Sequence, residues 1–359
     1  MQLLDECVQT KERLEWWIKE CRKAGIFGFD TETTGFQVIE GKDTAVGWCL
    51  ALSRERGCYI PVGHRTTEPQ LDFDYVLEAL APILEDPKLV KVAANAAFDL
   101  NVCAMLGVNV RNIEDTQLQS YALDTQKYRA RGHSFDALTK FHLNYDSIHF
   151  DDVVIGELGI KNFSYVRLDH ATKYASEDAR LTLALYLDLK QKLADEGLDA
   201  VYEDIDRPLP RIVADMRRRG IGLNMERVRE LHTQWCAEAD VLQDKIDKAV
   251  GCTLNLNSPK QLSEYLFDTL GLPVISETDS GGRSTDDDTL AALAKSFPEH
   301  VQLSLIREWK ELSKLTSGFT GSWLEKVGAD QRLHGDFTLT TTNTRRLASK
   351  DPNLQNIPT

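Results

Sequence analysis

The sequence predicts a mixed α/β unit followed by a mainly helical region, and three observations support this division. Short apolar runs typical of strands occur early in the chain, and helical periodicity dominates after them. The pattern breaks near Gly197, beyond which long amphipathic helices follow one another until the polar, threonine-rich last segment. The length of 359 residues also exceeds one ordinary domain. We therefore expect three units, at residues 1–197, 198–330 and 331–359.

The composition is that of a globular protein, with 42% hydrophobic and 27% charged residues. No apolar run approaches membrane-spanning length, and the first residues lack the basic-then-apolar order of a signal peptide, so we expect a cytoplasmic protein of a bacterial or phage-infected cell. The seven cysteines include no CxxC pair, which argues against a disulfide framework or a zinc motif. A net charge of −14 excludes strong charge-driven binding to nucleic acid, but it suits a protein that takes up cations.

Periodicity assigns the elements of the first unit. A buried strand that leads into Asp30 is followed by two strands that we expect to form a meander, and a further short strand comes later. These last three strands lie at residues 44–53, 57–62 and 88–94. Helices are predicted at residues 5–24, 72–85, 98–106, 115–123, 134–142 and 169–195.

The second region contains long helices with clear start and stop signals. Arg207-Pro208 precedes a helix that Gly220 ends, and Ser258-Pro259 forms the cap and first residue of another, which Gly271 ends. Further helices are predicted at residues 225–250 and 300–326, and one begins at Asp286.

Asp30 and Glu32 are two residues apart at the end of the buried strand. Residues i and i+2 of a strand face the same side, so the two carboxylates repel each other unless a positive charge lies between them. A divalent cation is the natural candidate, because hard cations prefer oxygen ligands. The alternative is a solvated strand end that carries two surface acids.

Three further residues extend this acidic set. Asp99 follows the strand at 88–94 at a strand-to-helix junction, where side chains project above the edge of the sheet. Tyr174 and Asp178 are separated by one helical turn and share a helix face, near the apolar stripe of that helix. Taken alone, an acid such as Asp178 is more often an ordinary helix-surface residue.

Together, the Asp-x-Glu, Asn-x-x-x-Asp and Tyr-x-x-x-Asp motifs resemble those of the DEDD superfamily of 3′–5′ exonucleases, in its tyrosine subclass. The resemblance implies a ribonuclease H-like mixed sheet with helices and two Mg²⁺ or Mn²⁺ ions as cofactors. It implies that Asp30 bridges both ions, that Glu32 and Asp178 complete the water-activating site, and that Asp99 serves the second ion. Tyr174 would orient the attacking water. Two such cations activate water and stabilise the leaving oxygen.

The same resemblance implies residues that bind the frayed strand. Phe36 and Phe150 would pack against the last bases, because stacking on aromatic rings tolerates any base. Asn95 would contact the terminal nucleotide. The alternative for both phenylalanines is ordinary packing in the core.

The last segment, Thr344 to Pro358, closely resembles the segment that opens the palm of family A DNA polymerases, the DNA polymerase I type. Residues 257–262 and the helix that carries Trp309 resemble the thumb of that family. The resemblance implies that Arg346, Gln355 and Asn356 contact the minor groove of primer–template DNA. Arg345 departs from the family, which often has Gly there; we expect it to add charge beside the primer contact and to alter the backbone.

The family's polymerase carboxylates lie in an Asp-Tyr-Ser-like and a His-Asp-Glu-like motif, and the sequence contains neither. We therefore expect a metal-dependent 3′–5′ exodeoxyribonuclease, the proofreading module of a short, phage-type polymerase, without polymerase activity of its own. Its partners would be single-stranded 3′ ends and primer–template DNA. Two alternatives stay open: a DNA-binding subunit that completes a split polymerase with a second chain, and a stand-alone exonuclease that trims RNA.

Overall fold

The computed structural model describes residues 3–125, 132–158, 162–278 and 280–357. The chain forms two compact units. The first comprises Met1–Gly220 together with His334–Gln355, and the second comprises Ile221–Leu333 together with Asn356–Thr359. The segment His334–Gln355 therefore returns to the first unit.

A mixed six-stranded sheet forms the centre of the first unit, in the order β1-β4-β3-β2-β5-β6. Strands β2, β3 and β4 form the predicted antiparallel meander, and β5 and β6 continue the sheet in parallel. The central strand β2 carries Asp30 and Glu32. The strands are β1 (Leu4–Cys7), β2 (Ile26–Thr33), β3 (Ala45–Ser53), β4 (Arg56–Pro61), β5 (Val90–Ala93) and β6 (Ile113–Asp115).

Helices cover both faces of this sheet. On one face, apolar residues of β2 such as Phe27 and Phe29 pack in a core with Leu14, Leu80 and Leu100 from three helices. On the other face, alanines of the long helix α7 lie against β3 and β4. The helices are α1 (Lys11–Ala24), α2 (Phe73–Leu84), α3 (Ala96–Met105), α4 (Thr116–Leu123), α5 (Phe135–Leu143), α6 (Phe150–Leu158), α7 (Leu168–Asp195), α8 (Asp199–Val201) and α9 (Leu209–Arg219), with a 3₁₀ turn at Phe163–Tyr165 and a π turn at Tyr202–Asp206.

The prediction of one helix over residues 5–24 is wrong at its beginning. Leu4–Cys7 forms the edge strand β1, which pairs in parallel with β4, and the helix begins only at Lys11. The side chain of Thr10 accepts a hydrogen bond from the backbone N–H of Arg13 and so caps the helix. The strand was missed because its hydrogen-bonding partner lies about fifty residues further along the chain.

The second unit is mainly helical, as the sequence predicts. Its core contains Leu262, Leu266, Leu290, Leu303 and Ile306. The helices are α10 (Met225–Val250), α11 (Pro259–Ser263), α12 (Asp287–Ser296), α13 (Val301–Leu315) and α14 (Ser322–Lys326), with π turns at Glu264–Thr269 and Thr316–Gly321 and a short ribbon of β7 (Ile221–Gly222) and β8 (Arg332–Leu333).

The predicted helix over residues 300–326 is interrupted at its centre. The π turn Thr316–Gly321 separates α13 from α14. The hydroxyl of Thr316 donates to the carbonyl of Leu312 at 3.0 Å, and two glycines follow it. Such side-chain bonding and the low helix propensity of glycine loosen the regular hydrogen-bond ladder.

The returning segment of the first unit forms an antiparallel ribbon of β9 (Asp336–Thr338) and β10 (Ala348–Lys350). Arg217, near the end of α9, makes a salt bridge to Asp336 in β9. The imidazole of His334 hydrogen-bonds through Nδ1 to the carbonyl of Arg217 at 2.7 Å. This segment, predicted to open a palm, therefore packs with the first unit.

Candidate active site

Strand β2 presents Asp30 and Glu32 on the face of the sheet that α7 covers. Phe27 and Phe29 point to the opposite face and are fully buried in its core. Gly28 lies on the same face as the two acids, and a Cβ there would lie 2.3 Å from the carbonyl oxygen of Ala179 in α7. Only glycine permits this close approach, which brings α7, and Asp178 with it, against the acidic end of β2.

Asp99 reaches the same end of β2 from α3. Its side chain is buried, and the hydroxyl of Thr31 in β2 donates to its Oδ1 at 2.6 Å. The turn before α3 has Asn95 in the left-handed region, at φ 61°. Asp115 holds this turn, because its carboxylate accepts from the backbone N–H of Ala96 at 2.9 Å. The strand-to-helix junction therefore fixes the position of Asp99.

Helix α7 contributes Tyr174 and Asp178, one helical turn apart, and both side chains line the same cavity. Burial, followed by the charge of Asp178, holds the pKa of the Tyr174 hydroxyl far above its usual range. The hydroxyl therefore keeps its proton and can donate it in a hydrogen bond. The interpretation of Asp178 as an ordinary helix-surface acid does not describe this environment, in which the side chain lies in a cavity with Asp30 and Tyr174.

The electrostatics of the four acids are unusual. Burial raises the pKa of Asp30 from 3.8 to about 7. Burial and the neighbouring carboxylates raise the pKa of Glu32 well above its usual range, and they raise those of Asp99 and Asp178 in the same way. Among the described residues, no lysine, arginine or histidine pairs with any of the four. The cluster therefore lacks the positive charge that its members require.

The donor set fits a divalent cation. The buried Oε1 atom of Glu32 has no hydrogen-bond partner in the described structure. Ligand atoms of Asp30, Glu32 and Cys49 all lie within 4.8 Å of one another. A buried acceptor without a donor costs free energy, and a cation held between the carboxylates removes that cost. An acidic group that can bind metal is thus present where the sequence predicts one.

A cavity of about 220 Å³ opens beside these acids and is lined by Asp30, Phe150, Tyr174 and Asp178. The ring of Phe150 is partly exposed, stacks on Phe163 at 6.2 Å and lies 6.0 Å from the ring of Tyr174. A flat apolar wall therefore stands beside the predicted catalytic tyrosine, where a base could stack.

A second cavity, of about 520 Å³, is lined by Phe36, Asn95 and Phe98. Gln117 lines both cavities, so they are neighbours. The ring of Phe36 is 75% exposed and meets only the edge of Phe98, at 5.9 Å. Ordinary core packing is therefore the wrong interpretation of Phe36. The structure brings Phe36, Asn95 and Phe150 to two adjoining cavities around the acids.

The three predicted minor-groove residues lie elsewhere in the chain, and none lines the cavity around Asp30 in the part that the structure describes. Arg346 and Asn356 are exposed. The amide of Gln355 accepts from the backbone N–H of Ser349 at 3.0 Å and donates to the carbonyl of Leu347 at 2.9 Å. These bonds hold the end of the ribbon in shape.

Arg345 does not contribute a free charge beside the primer contact, contrary to the expectation from sequence. Its guanidinium makes a salt bridge to the buried Asp206 at 3.1 Å, donates to the carbonyl of Ala122 at 3.1 Å and lies over the ring of Tyr121. Its backbone adopts φ 59°, a region that favours glycine. The guanidinium therefore attaches the ribbon to Asp206 and α4, and the expected change in backbone relative to the family stays a prediction.

Several residues that shape the site were missed in the sequence. Glu177 is buried beside Asp178 and accepts hydrogen bonds from the hydroxyl of Tyr145 at 2.6 Å and the N–H of Ile148 at 2.8 Å, which fixes the loop that leads to Phe150. Thr31, Asp115 and Cys49 were missed as well. The one available signal was the Glu-Asp pair at positions 177–178 on an otherwise apolar helix face.

Comparison with known proteins decides the family. Residues 6–194, more than half of the chain, match the sequence model described as 3′–5′ exonuclease. The chain belongs to this family. Residues 225–359 match the model described as DNA polymerase family A. The resemblance predicted from the motifs is therefore confirmed in both parts of the chain.

Relatives with curated descriptions carry the same two parts in one protein. The chain is 34% identical to DNA polymerase I of Rhizobium leguminosarum over 96% of its length and 35% of the relative's. It is 36% identical to DNA polymerase I of Pseudomonas aeruginosa over 95% of its length and 38% of the relative's. It thus spans little more than a third of these relatives. The exonuclease match followed by a polymerase match is the arrangement of the proofreading module of a family A polymerase.

A solved structure shows the same fold. The chain resembles the POL domain of Pol1 from M. smegmatis, solved in complex with DNA primer–template and dNTP, with a TM-score of 0.78 and 25% identity. The match covers 99% of this chain and 56% of that one. In the described ranges of this chain, we find no helix of the length and apolar character needed to span a bilayer.

Proposed function

We propose that this chain hydrolyses the 3′-terminal nucleotides of single-stranded or frayed DNA, as the proofreading module of a family A DNA polymerase. The observation that carries the proposal is the cluster of Asp30, Glu32, Asp99 and Asp178, four carboxylates gathered without a cationic partner in the described structure. Acids with strongly shifted pKa values in a cleft are characteristic of catalytic sites. Residues 1–197 form the exonuclease domain in this proposal, residues 198–330 the thumb region and residues 331–359 the start of a palm.

The four carboxylates would hold two divalent cations, Mg²⁺ or Mn²⁺. Asp30 is close to each of the other three acids, because its charge raises the pKa of Glu32, Asp99 and Asp178 alike. It is therefore suited to ligate both ions. Two such ions, when bound, activate the attacking water and stabilise the leaving 3′ oxygen. Glu32 and Asp178 would complete one ion site, and Asp99, held by Thr31, would serve the other.

Tyr174 positions the attacking water. Its hydroxyl keeps its proton, since burial and Asp178 raise its pKa, and it can donate a hydrogen bond toward the reacting centre. The ring is held from the side by Phe150 and Phe163. This fixed ring limits the directions in which the hydroxyl can point, which favours one orientation of the water.

The two cavities accommodate the 3′ end of the strand. Phe150 and Phe36 offer exposed ring faces on which bases can stack without regard to sequence. Asn95, exposed at the turn before α3, contacts the terminal nucleotide. A single strand can place its last phosphate beside the acids, whereas a paired end has no free base for these surfaces. Preference for frayed ends follows from this arrangement.

The second region and the ribbon contact the duplex part of a primer–template, with Arg346, Gln355 and Asn356 at the minor groove. The match of residues 225–359 to DNA polymerase family A supports this role and argues against an RNA-trimming enzyme. The sequence contains no Asp-Tyr-Ser-like or His-Asp-Glu-like motif, so we expect no template-directed synthesis from this chain alone. The cytoplasmic location and the phage-type origin stay predictions.

Incubation with a single-stranded oligonucleotide labelled at its 5′ end tests the proposal. In Mg²⁺ we expect a ladder of products shortened from the 3′ end and released mononucleotides, and EDTA should stop the reaction. Degradation from the 5′ end, or undiminished activity in EDTA, would refute the proposal. The same assay with a primed template and dNTPs should show no primer extension.

A further inference from the structure

Arg217 of α9 forms part of the wall of the cavity that contains Phe36. Its side chain is only 14% exposed, and it belongs to the same compact unit as Phe36 and β9. The guanidinium makes a salt bridge to Asp336 through Nη1 and donates through Nη2 to the carbonyl of Phe36 at 3.4 Å. Arg217 and Asp336 both line the cavity of about 520 Å³. A cationic side chain therefore lies beside the exposed ring on which a base can stack.

One donor of this guanidinium is unused. The Nε atom of Arg217 is buried and has no hydrogen-bond partner in the described structure. A buried donor without an acceptor costs free energy. A guanidinium is also a planar fork, whose neighbouring N–H groups match two oxygens of one phosphate. Each linkage of a single strand carries such a pair of oxygens, so a backbone phosphate is a suitable acceptor for Arg217.

The ribbon supplies a second cation that can take the place of Arg217 at Asp336. Lys350 of β10 is directly opposite Asp336 of β9 in the antiparallel register, so the two side chains share one face of the ribbon. Lys350 is exposed, lines the same cavity and forms no ion pair among the described residues. Asp336 therefore keeps a positive neighbour when the guanidinium turns towards a bound strand.

The cavity is not strongly cationic as a whole, because Asp115 and Asp351 line it as well. The buried carboxylate of Asp115 accepts from the backbone N–H groups of Ala96 and Gln117, each at 2.9 Å, and so holds the turn before α3. With acids and bases mixed in one wall, general attraction of the strand is weak. Binding of a phosphate here depends on direct contact with one cation.

We propose that Arg217 binds a backbone phosphate of the single strand in this cavity, and that its guanidinium exchanges the salt bridge to Asp336 for that phosphate. The presence of the strand rests on the proposed exonuclease function, whereas the contact with Arg217 does not. Asp336 competes with DNA for the guanidinium and turns to Lys350 when a strand enters. Entry of the strand thereby releases one of the contacts that attach the ribbon to α9.

Arg217→Gln and Asp336→Asn form a matched pair of variants, because each removes the same salt bridge. A purely structural salt bridge would make both variants bind single-stranded DNA alike. We expect opposite changes instead. Arg217→Gln should bind a 5′-labelled oligothymidylate about tenfold more weakly than wild type, because a charge-assisted hydrogen bond is lost, and Asp336→Asn should bind it more tightly. Arg22→Gln is the charge control, since Arg22 pairs with Asp86 at the surface and lines neither cavity.

Titrations of the full-length proteins in Ca²⁺ at several salt concentrations identify the kind of contact, and gel electrophoresis checks that the oligonucleotide stays intact. Loss of one phosphate contact should make the slope of log affinity against log salt shallower by about 0.7 in Arg217→Gln. Neutral methylphosphonate linkages, introduced one at a time, locate the phosphate. At one position the replacement should weaken binding by wild type and leave Arg217→Gln unaffected. Thermal melts confirm that each variant is folded.

The contact and the proposed function can fail separately. An unchanged salt slope in Arg217→Gln, equal weakening in Asp336→Asn, or a wild-type chain that is indifferent to every methylphosphonate would overturn the contact, while degradation from the 3′ end would still support the function. A wild-type chain that binds the oligonucleotide through Arg217 without metal-dependent degradation of it would uphold the contact and refute the function.

Discussion

Glu32 and Asp99 are as buried as Glu114 and Asp206, at 6%, 1%, 4% and 3% exposure, yet their surroundings differ. Glu114 pairs with Arg207 at 2.9 Å and accepts from the hydroxyl of Tyr202 at 2.8 Å, and Asp206 pairs with Arg345. Within the described residues, Glu32 has a buried oxygen without a hydrogen-bond partner, and the side chain of Asp99 accepts a hydrogen bond from the hydroxyl of Thr31.

Burial raises the pKa of all four groups, but their neighbours act in opposite directions. At Glu114 and Asp206 the neighbouring arginines oppose the rise. At Glu32 the charges of Asp30, Asp178 and Asp99 add to it. A buried acid beside an arginine is a structural group, whereas a buried acid among other acids is stable in its ionised form only with a cation. The charge of the neighbouring side chains, rather than the degree of burial, distinguishes the acids of the candidate site from the structural acids.

The largest expected effect comes from removal of an unpaired acid. Asp30→Ala removes a ligand that both ions share, and a loss of about 4 kcal/mol of transition-state stabilisation lowers the exonuclease rate about a thousandfold. The melting temperature in EDTA should not fall, because one buried negative charge is gone. Single-turnover assays and thermal melts measure the two effects. A variant with near-normal turnover would remove Asp30 from the mechanism.

Removal of the arginine from a paired acid should lower stability, whereas removal of an unpaired acid should not. Arg207→Ala leaves Glu114 buried and unpaired, and we expect the free energy of unfolding to fall by about 3 kcal/mol. Urea denaturation measures the change. The matched control is Lys140→Ala, since Lys140 pairs with Asp146 in an exposed salt bridge worth about 0–1 kcal/mol. Equal effects in the two variants would show that burial of the pair is unimportant.

Tyr174→Phe tests whether the Tyr174 hydroxyl orients the attacking water, because the substitution leaves the charge of the site unchanged. The ring and its contacts with Phe150 stay, and only the hydroxyl whose pKa Asp178 raises is lost. We expect the exonuclease rate to fall about ten- to a hundredfold, as for other groups that orient a metal site. Tyr165→Phe is the control, because in the described structure the hydroxyl of Tyr165 accepts its hydrogen bond from Arg65 at the surface. A loss as large as that of Asp30→Ala would mean that the hydroxyl does more than orient water.

The unpaired acids should also make the metal-free protein sensitive to pH. The pKa of Asp30 rises from 3.8 in the unfolded chain to about 7 in the fold. Between these values the native state holds a proton that the unfolded chain has released, so stability in EDTA falls as pH rises through this range. Mg²⁺ should restore it at the upper end, because cations bind the ionised native state. Thermal melts of wild type and Asp30→Asn measure this, and identical pH slopes would contradict it.

The smallest expected effect concerns Arg345. Arg345→Gly leaves the buried Asp206 without its salt-bridge partner, which should lower stability, but it relieves the left-handed backbone at φ 59°, worth about 1 kcal/mol. Arg345→Ala loses the salt bridge and keeps the strain. In urea denaturation, we expect the free energy of unfolding of Arg345→Ala to be about 1 kcal/mol lower than that of Arg345→Gly. Equal stability of the two variants would show that the backbone carries no strain.

Local patterns were sufficient to predict β2, α3 and α7, and the resemblance of three short motifs to an exonuclease superfamily identified the acids that these elements carry. Asp30 and Glu32 follow from the period of a strand, and Tyr174 and Asp178 from the period of a helix. Each of these relations spans at most a few residues, so the motifs that carry the resemblance could be recognised in the sequence.

Features that depend on distant pairing could not be predicted. Cys49 reaches Asp30 only through the register of two strands, and Leu4–Cys7 becomes a strand only because β4 accepts it. Asp206 and Arg345 meet across 139 residues. The exposure of Phe36 likewise depends on how α3 and its neighbours pack, so its sequence alone could not decide between core and binding surface.

Counting of bound Mn²⁺ by calorimetry tests most directly whether the unpaired acids form a metal site. The wild-type chain should bind two ions, and Glu114→Gln, which alters a buried but arginine-paired acid, should bind two as well. Asp30→Ala should bind at most one, and weakly. Absence of Mn²⁺ binding by the wild-type chain, or two ions bound by Asp30→Ala with unchanged affinity, would contradict a metal site at these acids.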